Sequence, residues 1–422
     1  MACLVASPLA AQPLLPEVEP PPIAPADAPE AAQVALEEVR RMAVAGAREL
    51  ALRFVDRLQP SRETSPEGWR QWELLRFDLL ADLEAWGRLE ARLERDLEEA
   101  EGPFRLLLLE RLAGTRLARG DGDGALEPLR LLLWGGEAVE DHRMRRWRRL
   151  VIRAHLARGA LEDARRAMLR YRGEFSDRDA AERLLEARVL LSGGRWGEAE
   201  RLLVDVEGDE AQALSLLAHL RNGLEAPASV RRVAEARAAR EGLSAAARAR
   251  YLYVAAEAAR LAGEGAARIA ALERLLAAAA TLSDPLFRVE PEDLWNAWEQ
   301  HGRLLGNRLT LLLGDDASWY REALNRLEKS PGEARALLTV IVAGETSPQA
   351  RLRAHAELAG SLAKEPGGTA LLRRLYDGVA GHGWEELPLE IRYRLVDEAI
   401  RAGRLTEASA IMGGLERPPA KA

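Results

Sequence analysis

From about residue 31 onward, apolar positions recur every three or four residues, the spacing of one helical face. The stretch "AAERLLEARVLLSGGRWGEAERLLVDV" (180–206) shows the pattern. Leu184, Leu185 and Val189 mark one apolar face, Ala199, Leu202, Leu203 and Val206 a second, and Gly193–Gly194 separates them. Ala, Leu, Arg and Glu, strong helix formers, dominate, while the alternating Val-, Ile- and Tyr-rich runs of strands are nearly absent. The pattern predicts an all-α chain built from helix, tight turn and second helix.

The unit repeats. A glycine followed five residues later by an alanine occurs as Gly46/Ala51, Gly120/Ala125, Gly159/Ala164, Gly194/Ala199, Gly223/Ala228 and Gly403/Ala408, with degraded copies near 88 and 267. Up to residue 267 the copies are roughly 29–39 residues apart, the length of two short helices and their turns. Glycine accepts the positive φ of a helix C-terminus, and alanine lets two helix backbones approach.

The fragments "GRWGEAERLL" (194–203) and "GALEDARRAM" (159–168) resemble tetratricopeptide repeats, whose second helix carries A-x-x-x-F. That slot reads Ala125/Leu129, Ala164/Met168, Ala199/Leu203 and Ala408/Met412. The small residue of the family's first helix is present at Ala113 and Ala187, Ile152 and Leu216 replace it in two copies, and the terminal proline is missing throughout. The resemblance implies a right-handed superhelical solenoid of antiparallel helix pairs whose first helices line a concave surface. Its usual role is to hold a protein or peptide partner.

Proline divides the chain. Residues 12–30 are Pro-rich and acidic, as a spacer would be. "TLSDPLFRVEPEDLW" (281–295) places Pro285 and Pro291 where a helix cannot continue. The expected organisation is a repeat array over 31–280, a linker at 281–295, a second helical-repeat subdomain over 296–417 and a tail at 418–422. In the second subdomain, "WEQHGRLLGNRL" is similar to the family's first-helix signature through Trp298, Gly302 and Leu305. Its expected partner is the helix "WYREALNRLEKS". The first eleven residues, "MACLVASPLAA", resemble the end of a secretory signal, so a periplasmic or exported location is expected, with the cytoplasm as the alternative. No stretch is long and apolar enough to span a bilayer.

Composition narrows the chemistry. A net charge of −7 gives no global attraction to nucleic acid, and none is expected as a partner. Only Lys329, Lys364 and Lys421 are lysines; genomic codon bias is the expected cause of this arginine skew, with selection for phosphate binding as the alternative. The single Cys3 and six scattered histidines offer no metal-ligand spacing, so neither metal nor cofactor is expected. "ARGDGDGALEPL" (118–129) mimics both a calcium loop and a dinucleotide turn. A calcium loop starting at Asp121 would need oxygen ligands where Ala125 and Leu132 stand, and no strand precedes the glycines. A repeat turn is the remaining reading, with the aspartates as cap or solvent residues. Asp315–Asp316 reads as another helix cap. No catalytic motif is present, and a non-enzymatic scaffold is expected. Alternatives are an accessory of a peptidoglycan synthase or hydrolase, or an all-helical enzyme with an unrecognised site.

One segment invites a ligand. "DHRMRRWRRLVIRAHLARG" (141–159) carries Arg146, Arg149 and Arg153 on one helical stripe, and Arg188 takes the equivalent place in the next repeat. Guanidiniums so arranged could hold an acidic or C-terminal carboxylate of a peptide through bidentate hydrogen bonds. This resembles the carboxylate-clamp tetratricopeptide domains in part; their asparagines are absent. The alternative is a solvated helix face neutralised by acids of adjacent helices. Trp86 and Trp196 are expected to pack at turns, while Trp69 with Trp72, or Trp134 with Trp147, could anchor a peptide if they line the groove.

Overall fold

The computed structural model describes residues 29–135, 139–175, 179–278, 284–306, 309–310, 313–344, 346–376, 383–401 and 405–413. The expected leader, most of the spacer and the C-terminal tail lie outside them. Among the described residues there are 21 α-helices and no strand, and consecutive helices pack against each other. The chain divides into two compact units, residues 1–115 and 116–422.

The first unit contains α1 (Pro29–Val44), α2 (Arg48–Leu58), α3 (Pro66–Asp82), α4 (Trp86–Leu97) and most of α5 (Gly102–Ala118). Its core gathers Leu36 and Val39, Ala51 and Val55, Trp72 and Phe77, Leu89 and Leu93, and Leu108 and Leu112. Pro66 opens α3 at a position where the missing N–H is not needed.

The second unit continues with α6 (Gly122–Trp134), α7 (Asp141–Ala157), α8 (Leu161–Glu174), α9 (Ala180–Ser192), α10 (Trp196–Leu203), α11 (Asp209–Asn222), α12 (Pro227–Ala238), α13 (Ala245–Ala262) and α14 (Gly265–Ala277). Each helix packs on the next through α14. In addition α7 meets α9, α9 meets α11 and α11 meets α13, so these first helices of the pairs stand side by side. That arrangement is compatible with a helical-repeat solenoid.

One turn recurs. The N–H of the residue following the turn glycine donates to the carbonyl five residues back: Ala47 to Met42, Asp121 to Arg116, Ala160 to His155, Arg195 to Leu190, Leu224 to His219 and Glu264 to Ala259. This is the 6→1 bond of a Schellman cap, and the glycines hold φ between +69° and +93°. The copy near residue 88 closes with the same bond, Ala85 to Leu80, around Glu84 at φ 53° instead of a glycine. Backbone geometry thus survives where the sequence signature has decayed. Gly403 lies outside the described residues.

The contact position is the fourth residue of the following helix. Ala51, Ala125, Ala164 and Ala199 occupy it and are fully buried. Ala228 does not. Residues 224–226 lengthen that turn and Pro227 starts α12, so Val230 takes the fourth place and the contact, leaving Ala228 half-buried. In "ARGDGDGALEPL", Gly120 makes the turn at φ +79° and Asp121 caps α6 through Gly124 N–H (2.8 Å). Gly122 admits α7, since a Cβ there would stand 2.4 Å from the Ala154 carbonyl oxygen. Asp123 binds Arg158 at 2.8 Å.

After α14 the described chain resumes at Asp284, followed by a 3-10 turn at Pro285–Phe287 and α15 (Pro291–Leu305). The remaining helices are α16 (Asp316–Arg326), α17 (Pro331–Ala343), α18 (Pro348–Leu362), α19 (Gly368–Tyr376), α20 (Leu389–Arg401) and α21 (Leu405–Met412). Within the expected linker, the described residues 284–295 contribute Phe287, only 1% exposed, to one apolar cluster running from Ala187 to Ile411. Pro285 opens the 3-10 turn and Pro291 opens α15. The expected pairing of α15 with the helix around Trp319 also changes. Its main partner is α17, which Gly302 admits: a Cβ there would fall 2.2 Å from the Ala336 carbonyl oxygen. α16 caps the end of α15, with the Trp319 ring against Gly306, and Asp315 caps α16 at Ser318 N–H.

Candidate functional site

The arginine stripe sits where α7 and α9 stand side by side. Arg146 and Arg153 are exposed, and Arg149 and Arg188 are half-buried. Arg149 donates through Nε to the Tyr171 hydroxyl (2.9 Å) and through Nη2 to Asp179 (2.6 Å), with its guanidinium lying over the Tyr171 ring. Asp179 also caps α9 by accepting from Glu182 N–H at 2.7 Å. Burial raises this carboxyl, but the Arg149 hydrogen bond and the α9 amides outweigh it and hold it below its ordinary value.

Arg188 is bound on two sides. Its Nε donates to Glu210 of α11 at 2.9 Å, and its Nη1 donates to Asp284 at 2.6 Å across 96 residues of sequence. Asp284, with a side chain 10% exposed, also accepts from Leu286 N–H and so anchors the 3-10 turn. Phe287 of that turn packs edge-on against Tyr253 of α13, with ring centroids 5.4 Å apart. Residues 284–287 therefore lie against α9 and α13 and supply one acid to the stripe. Nothing local in the sequence marks that pairing.

Arg153 differs. No carboxylate lies within ion-pair distance of it among the described residues. Surrounding protein and then the neighbouring Arg188 push its guanidinium below the ordinary value; Arg149 and Arg146 add repulsion, and Glu210 offsets part of it. All four predicted arginines are thus electrostatic neighbours, but they are not equivalent. Arg149 and Arg188 are neutralised by acids of adjacent segments, as the alternative reading anticipates, and so are Arg148 by Glu174 and Arg158 by Asp123. Arg153 has no ion pair of its own among the described residues and is offset only in part, by Glu210.

The tryptophans are mainly structural. Trp69, Trp72 and Trp147 are buried, Trp86 and Trp196 are half-buried at the starts of α4 and α10, and Trp134 is 80% exposed. Trp134 and Trp147 therefore do not share one exposed surface.

Three polar groupings were not foreseen. In the second unit, Arg335, 2% exposed, makes a two-bond pair with Glu273 (2.8 and 2.6 Å) and a third bond to Ser361. Trp298 Nε1 also donates to Glu273, and the pair lies in the wall of a cleft of about 640 Å³ with Pro331, Leu362 and Leu371. His355 contacts the Tyr376 hydroxyl (2.8 Å) and Glu386 (3.2 Å), an order of groups that suggests proton relay. The Tyr376 hydroxyl is wholly buried, which pushes it far up and leaves no access for a substrate. In the first unit, Glu73 and Asp96 are buried together between Arg76 and Arg92.

No group of three metal-ligating side chains occurs among the described residues, and no described helix is long and apolar enough to cross a membrane. Comparison with protein-family models and with curated proteins returns no match.

Proposed function

We propose that the chain is a tetratricopeptide-like scaffold, not an enzyme, that binds a protein or peptide through the face formed by α7 and α9. The right-handed superhelix of that family is part of the proposal. Arg153 carries the reading: a guanidinium without an ion pair, offset only in part by Glu210 and set beside Arg146, Arg149 and Arg188, favours a carboxylate from outside the chain. The partner then presents an acidic side chain or a C-terminal carboxylate. Arg149 and Arg188 hold the surroundings of Arg153 in shape, since each is fixed by acids already present.

The test is fluorescence anisotropy with a labelled acidic peptide, such as hexaglutamate with a free C-terminus. Wild type should bind in a salt-dependent manner, and Arg153→Glu should weaken binding at least tenfold. Arg166→Glu, on the exposed face of α8, should leave it unchanged. Equal affinity of wild type and Arg153→Glu overturns the assignment. Export belongs to the same proposal on the strength of the small, apolar first eleven residues. A fusion of residues 1–40 to a reporter active only after export should give signal, and a silent fusion counts against it.

A further inference from the structure

The first unit holds a charged cluster that the peptide-binding reading does not use. Glu73 of α3 is fully buried, and donors surround it. Its Oε1 accepts from Gln59 Nε2 at 2.7 Å, Arg92 Nη2 at 2.6 Å and Arg76 Nε at 3.2 Å, while its Oε2 accepts from Arg92 Nε at 3.0 Å. Arg76 also pairs with Asp56 of α2 and donates to Gln59 Oε1 at 2.6 Å. Asp96, one turn beyond Arg92 on α4, completes the group. Its side chain is 5% exposed, its Oδ2 accepts no hydrogen bond, and its nearest cation is Arg92 Nε at 3.5 Å. α1 and α5 bring Leu36, Val39, Leu108 and Leu112 to the surrounding core.

Charge does not balance in this core. Three carboxylates, Asp56, Glu73 and Asp96, face two guanidiniums, Arg76 and Arg92. Asp56 is half exposed and solvated, so the excess negative charge falls on the buried pair. Two adjacent buried carboxylates cannot both ionise cheaply. Glu73 already accepts from four donor groups. Asp96, whose Oδ2 accepts from none, takes a proton and becomes a donor itself.

We propose that α3 and α4 are joined by one proton held between Asp96 and Glu73, so that mild acid tightens this helix pair and neutral pH loosens it. Burial, and next the Glu73 charge, raise the Asp96 carboxyl from its ordinary 3.8 to about 6, with Arg92 and Arg76 opposing. The folded state therefore holds a proton that the unfolded state releases. Stability from this group is full below about pH 4, falls as pH rises to about 6 and stays flat above. A shift of about two units corresponds to a change on the order of a hundredfold at most in the opening equilibrium.

Hydrogen exchange of the intact protein between pH 4 and 7.5, corrected for intrinsic rates, reads this through peptides covering α4. Asp96→Asn supplies the neutral side chain permanently. Its α4 protection should match wild type near pH 4 and exceed it tenfold or more at pH 7. A wild-type-to-variant ratio that does not change with pH overturns the proposal. Carboxyl-carbon NMR of the wild type decides the case if the variant fails to fold. An Asp96 midpoint near 6 supports the proposal, and one below 4.5 refutes it. In Glu73→Gln the midpoint should fall; an unchanged midpoint counts against the shared proton.

Discussion

The distance between α6 and α7 is set by a glycine, and a single methyl group tests this. At Gly122 an added Cβ would stand 2.4 Å from the Ala154 carbonyl oxygen, 2.8 Å from Arg158 N and 3.1 Å from the Ala157 methyl. Carbon and oxygen in contact sit at about 3.3–3.6 Å, so Gly122→Ala forces a displacement of about 1 Å between two helix backbones. None of the three obstacles is the mobile end of a flexible side chain. Such overpacking costs about 1–3 kcal/mol. Any gain in helix propensity is small at this first helical residue. Urea denaturation followed by tryptophan fluorescence measures the loss, because Trp147 of α7 is fully buried. The midpoint should fall with little change in slope. Gly114→Ala is the control: it lies inside α5, nothing stands within 4 Å of its added Cβ, and it should gain about 0.5–1 kcal/mol. A Gly122→Ala protein as stable as wild type would show that α6 and α7 do not need this glycine.

Two further outcomes follow from the charged groups of the second unit. Arg335→Met leaves the half-buried Glu273 without its two-bond partner and should cost up to about 3–5 kcal/mol, with most of it recovered in Arg335→Met/Glu273→Leu. Thermal denaturation checks this, and a single variant within about 1 kcal/mol of wild type contradicts it. Acid should weaken the second unit. Burial raises Glu210, but Arg188 and Arg250 outweigh it and hold the carboxyl below its ordinary 4.5. Its stabilisation is present above that value and is lost as pH falls through the lower folded one. Melting temperatures between pH 3 and 6 should show this loss shrinking in Arg188→Gln, and parallel curves would contradict it.

The turns were the most legible part of the chain. Glycine at positive φ and the small residue after it follow from local sterics, so a five-residue spacing was enough to find Gly120/Ala125, Gly159/Ala164 and Gly194/Ala199. The same rule failed where local sterics stopped deciding. Pro227 moved the start of α12 and passed the contact from Ala228 to Val230, and Glu84 adopted a glycine's conformation without a glycine. The arginine stripe was legible as a helical face, since i, i+3 and i+7 residues share one. Which arginine is left without an ion pair was not, because Asp284 reaches Arg188 from 96 residues away. Glu73 and Asp96 carried no signal either; each reads as an ordinary polar residue on its own helix.

The sequence by itself determined that this protein is helical, where most turns fall and which arginines share a face, because these depend on backbone conformation and helical period. Only the tertiary structure decided which helices pair beyond neighbours, that residues 284–287 join the α9–α13 core, and which charges are satisfied. Those outcomes depend on through-space distances and on burial. A hydrogen bond or a desolvated carboxylate is fixed by what another part of the chain brings within about 3 Å of it.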